Sequence, residues 1–273
     1  MTSDSVHIRE LAAWGLDDYE YRPKSFEHER VRTAMRIVAQ SKRFEQANVV
    51  LTAETERLAE EFAVHAKRLD LLAEMSGLSW SLGVVDLRPL IAFQRRLSFH
   101  PERPQAPIPH AQEWSALFSV SFAPTKPIEY KTTHDRSAQT LTLQSSNPNL
   151  HIRMTSDPTS PLSIHIGGPF FEVACFRERW FLRDGYHRAY ALLNAGVYEM
   201  PAVIVYATTI EELGAYQPWF FSEEVLFSES PPRVMDFLNN DLVLEYDRPE
   251  LIRTLRIKTE ETFTPAIFIG DQS

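Results

Sequence analysis

Between Phe171 and Val205 the chain reads FEVACFRERWFLRDGYHRAYALLNAGVYEMPAVIV, and no other stretch restricts the fold as tightly. Runs of β-formers over Phe170–Cys175 and Trp180–Leu182 flank a connection at Arg177-Glu178 short enough for a hairpin. The second run stops at the turn pair Asp184-Gly185, a helix begins at once, and Gly196 stands where a helix C-cap belongs. Met200-Pro201 then opens the apolar run Ala202-Val203-Ile204-Val205, which reads as a buried strand. Strand, tight turn, helix and strand are thus expected in that order.

A helix that starts directly on a glycine turn exposes unpaired backbone N–H groups and the positive end of its dipole. His187 and Arg188 fall in the first turn, and a guanidinium can hold an anion through two parallel hydrogen bonds. Two readings are open here. In one, Gly185, Tyr186, His187 and Arg188 hold a phosphate. In the other, Asp184 caps the helix, Gly185 only permits the turn, and His187 and Arg188 lie on a solvated face.

The run PFFEVACFRERWFLRDGYHRAYALLNAGVYEMPAVIVYA, residues 169–207, resembles the core of the ParB/sulfiredoxin superfamily, which includes ParB-like nuclease domains. There a hairpin ends in Asp-Gly-x-His-Arg or Gly-Cys-His-Arg, a helix follows, and a Pro-initiated strand closes the unit. VVDLRPLIAFQRR at 84–96 is similar, more weakly, to the first strand of that superfamily. The resemblance implies a mixed α+β domain over 79–207 with a β-rich insertion at about 105–167. It also implies phosphate or nucleotide binding by the backbone and side chains of Gly185–Arg188. Arg88 and Arg95 would add positive charge if the first strand lies beside the hairpin. A nucleoside triphosphate or diphosphate, with or without magnesium, or a phosphorylated small molecule, is the ligand implied. Kinase-like, phosphohydrolase or nuclease chemistry would need carboxylates nearby, and Asp184 and Glu172 are the pair close in sequence. Sulfiredoxins carry their catalytic Cys immediately before His-Arg; Tyr186 stands there in this chain and supplies no thiolate, which argues against that activity. A noncatalytic module that keeps the pocket as a ligand-gated switch or a relic is the alternative.

Around this core the sequence predicts an N-terminal helical region, 1–78. Its helical pair is marked by Val31, Met35 and Val38, then by Leu58, Phe62, Leu69 and Leu72, with Thr52 as a cap. Runs such as LFSVSF, IEYKTT, LTLQ, LHIRM and LSIHI predict an antiparallel meander. Residues 208–273 are expected to form a helical extension, with helices starting at Ser230-Pro231-Pro232 and at Asp247-Arg248-Pro249. That quarter is acidic: residues 207–273 hold 13 acidic and 5 basic side chains of a chain whose net charge is −9. Nonspecific nucleic-acid binding is therefore not expected, and the acidic extension is a candidate surface for a protein partner. Apolar residues at 44% and charged residues at 24% suit a folded domain, no run approaches a membrane span, and the N-terminus lacks a signal peptide, so a cytoplasmic protein is expected. The single Cys175 reads as a core residue, and the nine histidines show no metal-binding spacing, so no metal site is expected.

Overall fold

The computed structural model describes residues 5–24, 28–41, 43–101, 107–124, 128–147, 149–154, 159, 162–166 and 168–263. Along the chain come β1 (Ser5–Leu11), α1 (His28–Ala39), α2 (Thr52–Arg57), α3 (Ala59–His65), α4 (Leu69–Glu74), β2 (Trp80–Asp86), β3 (Ile91–Ala92), β4 (Arg96–Phe99) and α5 (Trp114–Ser121). Four strands follow: β5 (Lys131–Asp135), β6 (Thr140–Ser145), β7 (Leu150–Met154) and β8 (Leu162–Ile166). The chain continues through β9 (Glu172–Phe176), β10 (Arg179–Asp184), α6 (Tyr186–Asn194), β11 (Glu199–Tyr206), α7 (Ile210–Leu213), α8 (Glu223–Leu226), a 3₁₀ turn at Val234–Leu238, β12 (Val243–Pro249) and β13 (Arg253–Lys258). The protein is a mixed α+β structure with four sheets among the described residues. It divides into two compact units, one formed by 1–126 and 168–249, the other by 127–167 and 250–273.

The first unit is organised on a five-stranded sheet in the order β2-β11-β9-β10-β3. β11 runs antiparallel to β2 and parallel to β9, β9 pairs antiparallel with β10, and β10 is parallel to β3. β11 is an interior strand, between β2 and β9, and is buried along most of its length, as the apolar run at Ala202–Val205 requires. Phe170, Phe171, Phe181, Val203 and Leu192 belong to the same buried core. β1, β12 and β4 make a second, antiparallel sheet in the order β12-β1-β4. On one of its faces Glu10 is fully buried, held by Arg22 and Arg96 and by the Tyr246 hydroxyl, which donates to it at 2.7 Å. A carboxylate at that depth is tolerated because charged and hydroxyl donors surround it.

In the second unit β13, β6 and β5 form an antiparallel sheet, and β7 and β8 form a hairpin. The strands expected in this stretch are present as β5–β8, but among the described residues they form two separate pairings, β5 with β6 and β7 with β8, rather than one meander, and β13 pairs with the other edge of β6. Three other expectations change. LFSVSF lies in helix α5, because Leu117, Phe118, Ser121 and Phe122 are buried at helical spacing. The helix expected after Asp247-Arg248-Pro249 is absent: that segment is the end of β12 and leads to β13, while Asp247 accepts from His7 on β1 instead of capping. The expected N-terminal helical region contains a strand, β1, and its second helix is broken into α2, α3 and α4. Leu69 and Leu72 of the expected stripe are exposed while Leu71 is buried, and Thr52 makes no cap bond. Of the Pro-rich connector at 101–110, residues 102–106 lie outside the described residues.

Candidate functional site

The β9–β10 hairpin ends with Asp184 opposite Glu172, and a bulge between Leu182 and Asp184 leaves Arg183 as the extra residue. The bulge turns Arg183 so that its guanidinium forms an ion pair with Glu172 while its Nε donates to the Glu212 carbonyl at 3.1 Å. Glu172 is 3% exposed. Burial pushes its carboxyl up to about 7; Arg183 opposes the shift, and the neighbouring Asp184 and Glu74 charges add to it. Asp184 is also held above the ordinary carboxylate range, first by burial, with Arg188 and the Gly185 N–H acting in the other direction. Its carboxylate accepts from the Gly185 N–H at 2.5 Å, but Gly185 is itself the N-cap residue and no side chain caps α6, so Asp184 is not the helix cap the local pattern suggested.

Gly185 has φ +98°, a conformation that side chains with a Cβ rarely adopt. A Cβ there would also lie 2.7 Å from the ring of Phe171, so the glycine admits an aromatic ring of the core. Tyr186, the next residue, is buried, and its hydroxyl accepts from the backbone N–H of Phe93 at 2.9 Å and of Gln94 at 3.4 Å. His187 Nε2 lies 2.9 Å from the Ser98 carbonyl, and the ring stands edge-on to Phe99 at 5.5 Å. Burial lowers its pKa, the hydrogen bond to the Ser98 backbone opposes the shift, and the charges of His100 and Arg188 add to it.

Arg188 is the centre of the arrangement. One terminal nitrogen donates to the carbonyls of Val120 at 3.1 Å and Pro169 at 2.6 Å, and the other donates to that of Phe170 at 2.7 Å. Val120 lies shortly before the chain leaves for the second unit, and Pro169 and Phe170 lie where it has just returned. Phe171 N–H bonds the Ser121 carbonyl and Phe122 bridges to Phe170, so the departing and returning segments are joined at this point. Burial depresses the Arg188 pKa, opposed by Asp184 and Glu172.

The other expected contributors are placed elsewhere. Arg88 pairs with Asp86 on the surface, 5.0 Å above the Tyr198 ring. Arg95 donates to the carbonyls of Phe220 and Gly15 and lies over Phe221 at 4.2 Å. β3 does lie beside β10, as the two-strand argument requires, yet the Arg95 guanidinium is engaged by those two carbonyls and not by the helix start. The hairpin arginines are engaged elsewhere as well: Arg177 pairs with Glu223, and Arg179 binds the carbonyls of Leu226, Phe227 and Ser228 at the end of α8. Sequence reasoning missed Glu74, at the end of α4, whose charge acts on both Glu172 and Asp184. Only tertiary proximity brings it there, and no local signal marks it. Cys175, half-buried in β9, has its thiol pKa raised by burial and then by Glu178. Among the described residues no group of three or more His, Cys, Asp or Glu side chains is placed to hold a metal ion, and no helix is long and apolar enough to cross a membrane. Comparison with protein-family models, with curated proteins and with solved structures finds no match for the chain.

Proposed function

We propose that the chain is a ligand-gated phosphate-binding module with a ParB/sulfiredoxin-like core, whose anion site at the start of α6 is closed by its own backbone. The observation that carries this reading is the set of three carbonyls gathered on Arg188. They are neutral acceptors on a buried cation, and a phosphate, as in a nucleotide or a phosphorylated small molecule, is a stronger one. A phosphate adds direct charge attraction and can take both terminal nitrogens of the guanidinium in parallel hydrogen bonds, which a single neutral carbonyl does not, and the α6 N-terminus adds its dipole. An arriving phosphate takes the guanidinium, and the carbonyls of Val120, Pro169 and Phe170 are released. Binding is thereby coupled to loosening of the segments that lead to and from the second unit. Asp184 and Glu172 serve the closed state, one by accepting from the Gly185 N–H at the turn and one as partner of Arg183.

Thermal melting with phosphate, ATP, ADP, CTP and GTP, with and without magnesium, tests the reading. At least one of them raises the melting temperature of the wild-type chain, by an amount that grows with ligand concentration, and Arg188→Lys weakens the response. If none produces a shift, the phosphate reading is wrong and Arg188 is a structural pin. A second reading, phosphotransferase or phosphohydrolase, is favoured by one observation: the Glu172 carboxyl, at about 7, exchanges its proton near neutrality beside Asp184. It requires product formation from a nucleotide and a panel of hydroxyl acceptors or water, lost in Glu172→Gln.

A further inference from the structure

The sheet of the second unit has two unlike faces. Side chains paired across antiparallel strands share a face, and alternate residues along a strand face opposite ways. Register then places Leu255, Leu143 and Thr132 on one side, followed by Ile257, Leu141 and His134. On the other side lie Thr254, Gln144 and Lys131, then Arg256, Thr142 and Thr133, then Lys258, Thr140 and Asp135. Gln144 Nε2 donating to Thr254 Oγ1 at 3.4 Å shows two of these side chains together on that face. Nine positions thus carry three cations, four threonines, one glutamine and one aspartate, with no apolar side chain.

Lys131, Arg256 and Lys258 are exposed, and none makes an ion pair among the described residues. Asp135 is turned inward on its own loop, accepting from Ser137 N–H and Oγ and from Ala138 N–H at 2.7–3.0 Å. Arg256 and Lys258, two residues apart on one strand, are separated by roughly 7 Å, and Lys131 stands two strands away, roughly 10 Å across. Hydroxyls and an amide fill the space between them. Such a surface offers an aromatic or aliphatic partner nothing to anchor on, so a protein interface with a desolvated centre does not form there. It also lacks the aromatic rings on which single-stranded bases stack. Cations interleaved with hydroxyl and amide donors match phosphate oxygens.

We infer that this face docks the sugar-phosphate backbone of a duplex nucleic acid, without reading its sequence. The contact is local: the chain as a whole has a net charge of −9, so attraction for the duplex comes from this face and not from the overall charge. The overall charge balance, which argues against nonspecific binding by the protein as a whole, thus leaves this face as an exception. The surface is independent of the α6 site.

Fluorescence anisotropy of the full chain with labelled duplexes of two unrelated sequences tests it between 50 and 200 mM salt. Three phosphate contacts give a slope of about −2.7 in log K against log salt, roughly a 40-fold loss over that range, equal for both sequences. Lys131→Gln, Arg256→Gln and Lys258→Gln each reduce the slope by about 0.9, a graded effect that loss of folding does not produce. Together they abolish binding while leaving the melting temperature unchanged. The inference is overturned by no binding at 50 mM salt, by undiminished binding of the triple variant, or by equal binding of a poly-glutamate peptide.

Discussion

Tyr186 occupies the position where the sulfiredoxin resemblance expects a thiol, and its hydroxyl serves the fold by accepting from two backbone N–H groups of the β3–β4 connection. Tyr186→Phe keeps the ring and removes the acceptor, so it lowers unfolding free energy in urea by about 1–3 kcal/mol, the usual cost of a buried unsatisfied donor. At Gly185 the positive φ alone costs a non-glycine residue about 1–2 kcal/mol, and the close approach of Phe171 adds to it. Gly185→Ala should therefore destabilise by more than that amount in the same assay. Glu172 sets a pH dependence. Its folded pKa of about 7 lies above its ordinary 4.5, so the folded state holds the proton more tightly than the unfolded chain. Its contribution to stability is full below about pH 4.5 and is lost as pH rises through 7. Glu172→Gln flattens that part of a plot of stability against pH; an unchanged plot would show that the carboxyl titrates normally. That Asp184-Gly185 makes a tight turn before a helix was legible in the sequence. That an aromatic ring fills the space beside it was not, because Phe171 reaches it only through hairpin and sheet pairing.

Among the elements, those specified by adjacent residues were readable. The β9–β10 hairpin, α6 with its Gly196 cap, and β11 follow from apolar runs and turn pairs that sit next to one another in sequence. The short helix α7 begins with Thr209 accepting from Glu212 N–H at 3.2 Å, while the Glu212 carboxylate accepts from Thr208 N–H at 2.6 Å. Elements decided by distant partners were not. β12 looked like a helix start because of Asp247-Arg248-Pro249, but pairing of Val243–Pro249 with β1 settles it as a strand. β1 itself was hidden by Arg9 and Glu10, buried charges whose partners Glu245, Arg22 and Arg96 lie far away in sequence. The hairpin turn holds a further prediction. Arg177 and Glu178 have φ of 48° and 63°, a conformation that hairpin turns normally give to Asn and Gly. Glu178→Gly relieves one of these and stabilises the protein by about 1 kcal/mol, read as a rise in the urea midpoint without change in slope.

At the scale of the whole molecule, the chain leaves the first unit before β5 and returns before β9, and its C-terminal strand crosses to the second unit to pair with β6. A chain ending at Pro249 leaves β6 without that neighbour. Amides of Thr140–Ser145 should then lose hydrogen-exchange protection while the β2-β11-β9-β10-β3 sheet keeps its own. Equal loss in both sheets would mean that the two units fold as one. The sequence carried the residues at the α6 start but not their engagement. Arg188 looked like an open anion clamp because its carbonyl partners come from Val120, Pro169 and Phe170, which local pattern cannot place beside it. Whether an anion replaces those carbonyls is the central claim, and hydrogen exchange with and without saturating ATP or inorganic phosphate measures it most directly. The amides of Phe122 and Phe171, now bonded to the Phe118 and Ser121 carbonyls, should exchange faster with ligand, while those of Tyr186, His187 and Arg188 slow. Unchanged exchange at both places, with either ligand at saturating concentration, would contradict the claim and leave Arg188 as a pin that joins the two segments.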